Sequence, residues 1–158
     1  MIKTKAIFSD CGRYRFLLSK EWGNLPPLIF IMLNPSTATE MKNDPTVERC
    51  EQRARRMGFG GVTILNLFAL RSTDPRQLYL QPDPIGRAFN DALILENTQE
   101  GTIICGWGTH GNHLGRGETV RWMLFDRGRT LHHLGLNRDG TPKHPLYRGY
   151  DINPQEWR

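Results

Sequence analysis

Six consecutive apolar residues, Leu28-Ile-Phe-Ile-Met-Leu33, stand between Pro27 and Asn34-Pro35-Ser36-Thr37. The run has the length of a strand and no polar alternation, so it reads as a strand buried on both faces, at the centre of a mainly parallel sheet. Pro35 disfavours the helical region for Asn34 and holds it extended where the strand leaves the sheet. Ligands of open α/β sheets bind outside the carboxyl ends of the strands. Asn34 is therefore the first candidate for chemistry.

Three more apolar runs share this pattern. Val62-Thr-Ile-Leu-Asn66-Leu ends on a second asparagine, Thr102-Ile-Ile-Cys-Gly-Trp107 runs into Gly108-Thr109-His110, and Thr130 to Leu136 supplies a fourth strand before His144-Pro145-Leu146-Tyr147. Helices are expected between them. Asp44-Pro45 reads as an N-cap with proline at the first helical position, opening a helix to about Met57 on the apolar positions Val47, Cys50, Ala54 and Met57. A second helix is expected over Gly86 to about Gln99, on Phe89, Ala92, Leu93 and Leu95, and a third over Glu118 to Asp126, on Val120, Met123 and Leu124. Ala6 to Ser9 and Tyr14 to Leu18, joined through Asp10-Cys11-Gly12, predict an N-terminal β-hairpin.

The expected fold is α/β: three layers, α/β/α, around a central, mainly parallel four-stranded sheet, with the hairpin as an extension. One domain spans 1–158, with the hairpin extension at 1–27, the core at 28–148 and a tail at 149–158 that Trp157 anchors. The polar stretch Ala38 to Asn43 is long enough to fold over the site as a lid.

Composition narrows the function classes. No apolar run approaches the roughly 20 residues that cross a bilayer, and no signal peptide is legible, so no membrane is expected. Cys11, Cys50 and Cys105 have no C-x-x-C spacing, which argues against disulfides and cysteine-ligated clusters and places the chain in a reducing cytoplasm. Twenty-one Lys and Arg against 16 Asp and Glu give a net charge of +5, a bias toward polyanions. Arg49, Arg53, Arg55 and Arg56 circle the first helix, as a phosphate-attracting or a solvated surface. No Ser-His-Asp order, Walker loop or G-x-G-x-x-G fingerprint is present. His110 and His113 have H-x-x-H spacing without an acidic partner, so neither metal nor cofactor is expected.

At this point the residues resemble a family. Asn34-Pro35-Ser36 after an apolar strand resembles the first motif of the uracil-DNA glycosylase superfamily, written G-I-N-P-G in its mismatch-specific branch. Val62 to Asn66 resembles the strand whose terminal asparagine bonds the base. Ile103 to His110 resembles L-L-W-G-S-H-A, and His144-Pro145-Leu146-Tyr147 stands where H-P-S is found. The resemblance covers about Leu28 to Arg148. The Asn-Pro-Ser-Thr and His-Pro-Leu-Tyr signatures also resemble an uncharacterised bacterial and phage domain-of-unknown-function family.

The superfamily resemblance implies a protein that binds a nucleobase, nucleotide or nucleic acid, with slow N-glycosidic hydrolysis of a modified or mismatched base as its chemistry. Asn34 would orient the water and His144 would donate to the departing base. Pro35, Ser36, Thr37, Asp44, Asn66, Phe68, Trp107, Gly108, His110 and Tyr147 would contact the base or ligand, while Arg71, Arg116 and Arg148 are candidates for phosphate. The departures matter equally. The first motif holds Asn34 where the most active members have a carboxylate, and the segment after Pro145 is shorter than a DNA-wedging loop. Two alternatives stay open: a non-catalytic nucleic-acid-binding module, and an enzyme on free nucleotides in phage or defence metabolism. No obligate protein partner is implied, and the sequence leaves the oligomeric state open.

Overall fold

A computed structural model describes residues 1–36 and 44–158 of the chain. Thr37 and the expected lid lie outside the described residues. The sheet runs β1 (Lys3–Phe8), β2 (Arg15–Glu21), β3 (Pro27–Met32), β4 (Gly61–Asn66), β5 (Thr102–Cys105), β6 (Leu131–His133) and β7 (Gln155–Glu156) in chain order, and β1-β2-β4-β3-β5-β6-β7 in space. The helices are α1 (Pro45–Arg56), α2 (Gln77–Leu80), α3 (Arg87–Glu96) and α4 (Arg116–Asp126).

The sheet is mixed and seven-stranded, which corrects the expected four-stranded parallel one. Its middle, β4-β3-β5-β6, is parallel. The hairpin is no appendage: β2 pairs antiparallel with β4 from Leu18 opposite Ile64 to Glu21 opposite Gly61, and β7 pairs antiparallel with β6. Both additions cover edges that would otherwise leave backbone N–H and C=O groups unpaired. The new edges are blunted by Lys3 and Lys5 on one side and by a two-residue strand on the other.

Why β3 reads as an unbroken apolar run is visible in its neighbours. Ile29 and Ile31 join one core cluster with Leu78 of α2, Ile94 of α3 and Val120 and Leu124 of α4. Leu28, Phe30 and Met32 face the other way, into a cluster with Val47, Cys50 and Ala54 of α1. Helices therefore cover both faces. Asp44 caps α1 by accepting the Val47 N–H at 2.8 Å, with Pro45 next in the chain.

Some helical positions differ from the expectation. Met57 and Phe89 are exposed, because α1 ends at Arg56 and Phe89 leaves the core to meet the Phe16 ring edge-on, centroids 4.7 Å apart. Of the arginines of α1, Arg55 and Arg56 are exposed, whereas Arg53 is buried and Arg49 half-buried. Arg53 is 1% exposed and donates to the carbonyls of Ile152 and Gly149, each at 2.8 Å, and Arg49 donates to that of Arg148 at 2.7 Å. The guanidinium groups of Arg49 and Arg56 lie about 4 Å over the Tyr150 ring. A tail with little regular structure has carbonyls to satisfy, and this helix supplies the donors. At its end Trp157 packs beside Trp107, centroids 5.6 Å apart.

Candidate functional site

The crossover from β3 to β4 moves to one side of β3, and the next, from β4 to β5, returns to its other side. Chain direction thus switches between the ends of β3 and β5, where an α/β sheet opens a crevice. A cavity of about 660 Å³ lies there, within the range of small-ligand sites. Asn34 and Pro35 reach it from β3, Asn66 from β4, Trp107 and Gly108 from β5, and His144, Tyr147 and Arg148 from the segment after β6. Ser36, Asp44 and His110 complete the expected set that lines it.

Asn34 is held by its nitrogen. Nδ2 donates to the carbonyls of Ser72 at 2.9 Å, Pro35 at 3.1 Å and Leu70 at 3.3 Å, an arrangement only the amide nitrogen can satisfy. Its oxygen is what remains to address the cavity. Ser36 donates its hydroxyl to Asp44, whose other carboxylate oxygen is the helix cap, so Asp44 ties the strand end to α1.

Asn66 is the unusual group. It is 1% exposed, its backbone carbonyl accepts from Asn90 Nδ2 at 3.0 Å, yet its own side-chain nitrogen is buried without a hydrogen-bond partner among the described residues. An unsatisfied buried donor costs about 1–3 kcal/mol, and such groups in folded proteins call for an explanation.

His144 Nδ1 accepts the Leu146 N–H at 3.1 Å, which puts the proton of the neutral ring on Nε2. Burial pushes its pKa below the usual histidine value, with the Asp44 carboxylate pulling in the opposite direction. The ring is a neutral donor. His110 shares a hydrogen bond between Nδ1 and the Tyr79 hydroxyl at 3.0 Å. Trp107, 3% exposed, forms a wall of the cavity, and a side chain at Gly111 would collide with its indole.

Several expected contacts lie elsewhere. Phe68 is fully buried in the core against the His113 ring, not at the cavity. Arg71 donates to the Gly12 carbonyl at 3.0 Å and lies over Phe8, holding the hairpin turn. Arg116, 3% exposed, donates to the Leu67 carbonyl and pairs with Asp91 at 2.6 Å. Both cations serve the fold, because their surroundings offer carbonyls or a carboxylate. Among the described residues no group of three or more His, Cys, Asp or Glu gathers as metal ligands. No helix among them is long and apolar enough to cross a membrane.

The cavity also holds groups that sequence reasoning passed over. Arg15 of β2 lines it while 2% exposed; burial pushes its guanidinium down to about 10, still charged at neutral pH. Assigning the hairpin to an extension hid it. Lys143 and Asn137 line it as well, from a turn without regular periodicity.

The family described as "Protein of unknown function (DUF1643)" matches residues 15–146, from the first residue of β2 to the turn after His144. The chain belongs to this family. The matched span holds nearly all of the cavity lining and leaves out β1 and the tail. No curated protein and no solved structure matches the chain.

Proposed function

We propose that the cavity binds a nucleobase-bearing ligand and that its chemistry, where the sugar is attached, is slow hydrolysis of the N-glycosidic bond. The observation that carries the reading is the buried, unpartnered amide nitrogen of Asn66 in the wall of a cavity that His144 also lines. Two neutral donors at the end of a parallel sheet suit a ligand edge carrying carbonyl oxygens, as pyrimidines do. The motif resemblance to the uracil-DNA glycosylase superfamily supports the same reading.

In this mechanism the C–N bond breaks with its electron pair leaving on the base. The Nε2–H of His144 donates to the base oxygen where that negative charge collects. Water, oriented by the Asn34 oxygen, adds its oxygen to the sugar carbon and releases a proton to solvent, and the departed base takes up a proton. Asp44, the one carboxylate on the cavity wall among the described residues, offsets the positive charge that develops on the sugar. Among the described residues no side chain is a strong base placed on the water, which fits slow turnover.

The test is excision from single-stranded and duplex oligonucleotides carrying uracil, mismatched thymine or oxidised pyrimidines, alongside free nucleosides and nucleotides. Released base that disappears in His144→Ala supports hydrolysis. Base or nucleotide binding without any product retains the ligand and removes the chemical step. The reading of a non-catalytic nucleic-acid-binding module draws on the net charge of +5, and strong salt dependence of oligonucleotide binding would favour it.

A further inference from the structure

Two cations meet at one corner of the cavity, and among the described residues no carboxylate pairs with either. Gly135, just beyond β6, has φ +127°, and a Cβ placed on it would lie 3.1 Å from Lys143 Cδ and 3.2 Å from Arg148 Nη2. The two side chains therefore converge over the same bare backbone, and both line the cavity. Arg148 is anchored through Nε, which donates to the Leu134 carbonyl at 2.7 Å, so its outer nitrogens are presented rather than free to swing. The Lys143 backbone N–H is fixed to the Gly135 carbonyl at 2.9 Å. Neither side chain takes part in an ion pair among the described residues. Like charges held together in this way repel unless an anion sits between them, and a planar guanidinium beside an ammonium is the chemistry that binds phosphate.

Position decides what else the anion must be attached to. Gly135 follows β6 and Asn66 ends β4, and the order β4-β3-β5-β6 separates them by three strand spacings, about 14 Å. Over such a span a free base is poorly matched to both the Asn66 amide and the cation pair. A base joined through a sugar to a phosphate is better matched.

We propose that Lys143 and Arg148 form a phosphate subsite and that the ligand of the cavity is a nucleoside monophosphate. This rests on the base-binding reading of Asn66, which the experiment tests separately. The phosphate monoester belongs either to a free nucleotide or to the end of a strand; the cavity takes the free nucleotide.

Calorimetric titration of the full chain with the common deoxynucleoside 5′-monophosphates and deoxyuridine monophosphate, against their nucleosides, inorganic phosphate and a 5′-phosphorylated single strand, decides it. The expected result is at least one nucleotide binding about tenfold or more tightly than its nucleoside. Lys143→Ala erases that ratio while nucleoside binding stays, and Lys143→Arg keeps it. Equal binding of nucleotide and nucleoside, or a ratio that survives Lys143→Ala, overturns the subsite. Binding of the phosphorylated strand without the mononucleotide overturns the free nucleotide as ligand. Nucleotide and inorganic phosphate binding that ignores both the base and Asn66→Leu overturns the base reading but leaves the phosphate subsite standing. No binding by any probe overturns both.

Discussion

The backbone N–H of Leu146 donates to Nδ1 of His144, two residues earlier, at 3.1 Å, and that bond decides which nitrogen of the ring carries its proton. The turn that starts at Pro145 brings the two together, so the neutral ring's tautomer is fixed by local backbone geometry.

Acidification works against this histidine. Its folded pKa lies below its unfolded value, so below about pH 6.5 the unfolded chain binds the proton more readily and stability falls with pH. His133, also pushed down by burial, acts with the same sign. His144→Gln should flatten, without abolishing, the loss of thermal stability between about pH 7 and 5. His144→Ala, which removes the donor altogether, should lower any base-excision rate on the order of a hundredfold or more. A wild-type curve that is flat over this pH range would contradict the burial argument.

Asn66 should separate stability from function. Asn66→Leu removes an unsatisfied donor at similar volume, so denaturant unfolding should show a change of at most about 1 kcal/mol in either direction. Ligand affinity should be lost. Asn66→Asp should instead alter which base is accepted, because an ionised carboxylate cannot donate to a base carbonyl. Measured loss of stability above 2–3 kcal/mol in Asn66→Leu, roughly the cost of a broken buried hydrogen bond, would mean the amide is structural.

A carboxylate does not serve in place of Asn34. Asn34→Asp would set an anion against the carbonyls of Pro35, Leu70 and Ser72. The expected outcome is destabilisation by about 1–3 kcal/mol and no gain in excision rate. Chemical unfolding together with the oligonucleotide assay checks both halves.

Arg53 is a stability determinant, since its guanidinium serves three carbonyls of the final segment while almost fully buried. Arg53→Met should cost roughly 3 kcal/mol, measured by denaturant unfolding, because the carbonyls lose a charged donor they cannot replace from water.

Sequence reading placed β3, β4, β5 and β6 because strands buried on both faces leave an unmistakable apolar signature, and it found Asn34, Asn66, Trp107 and His144 because each follows such a run. It did not find how the sheet ends. β2 carries Phe16, Leu17 and Leu18, which suit a hairpin packing on its own partner as well as one joined to β4, and register across 40 residues of chain leaves no local mark. Arg15 was lost with it. Arg49 and Arg53 were read with the exposed Arg55 and Arg56 because the carbonyls they serve belong to backbone 95 to 99 residues away. Phe68, Arg71 and Arg116 sit close in sequence to strand and helix ends, yet what surrounds each is set by tertiary packing.

The carbonyl of Arg148 is gripped by α1 while the same residue lines the cavity. Occupancy of the cavity and docking of the last ten residues are therefore linked equilibria, and linkage is reciprocal. A bound anion should slow hydrogen exchange at the Trp157 amide, which donates to the Leu131 carbonyl at 2.7 Å. Loosening the tail should in turn speed release of any bound ligand, so residues 149–158 would set its residence time.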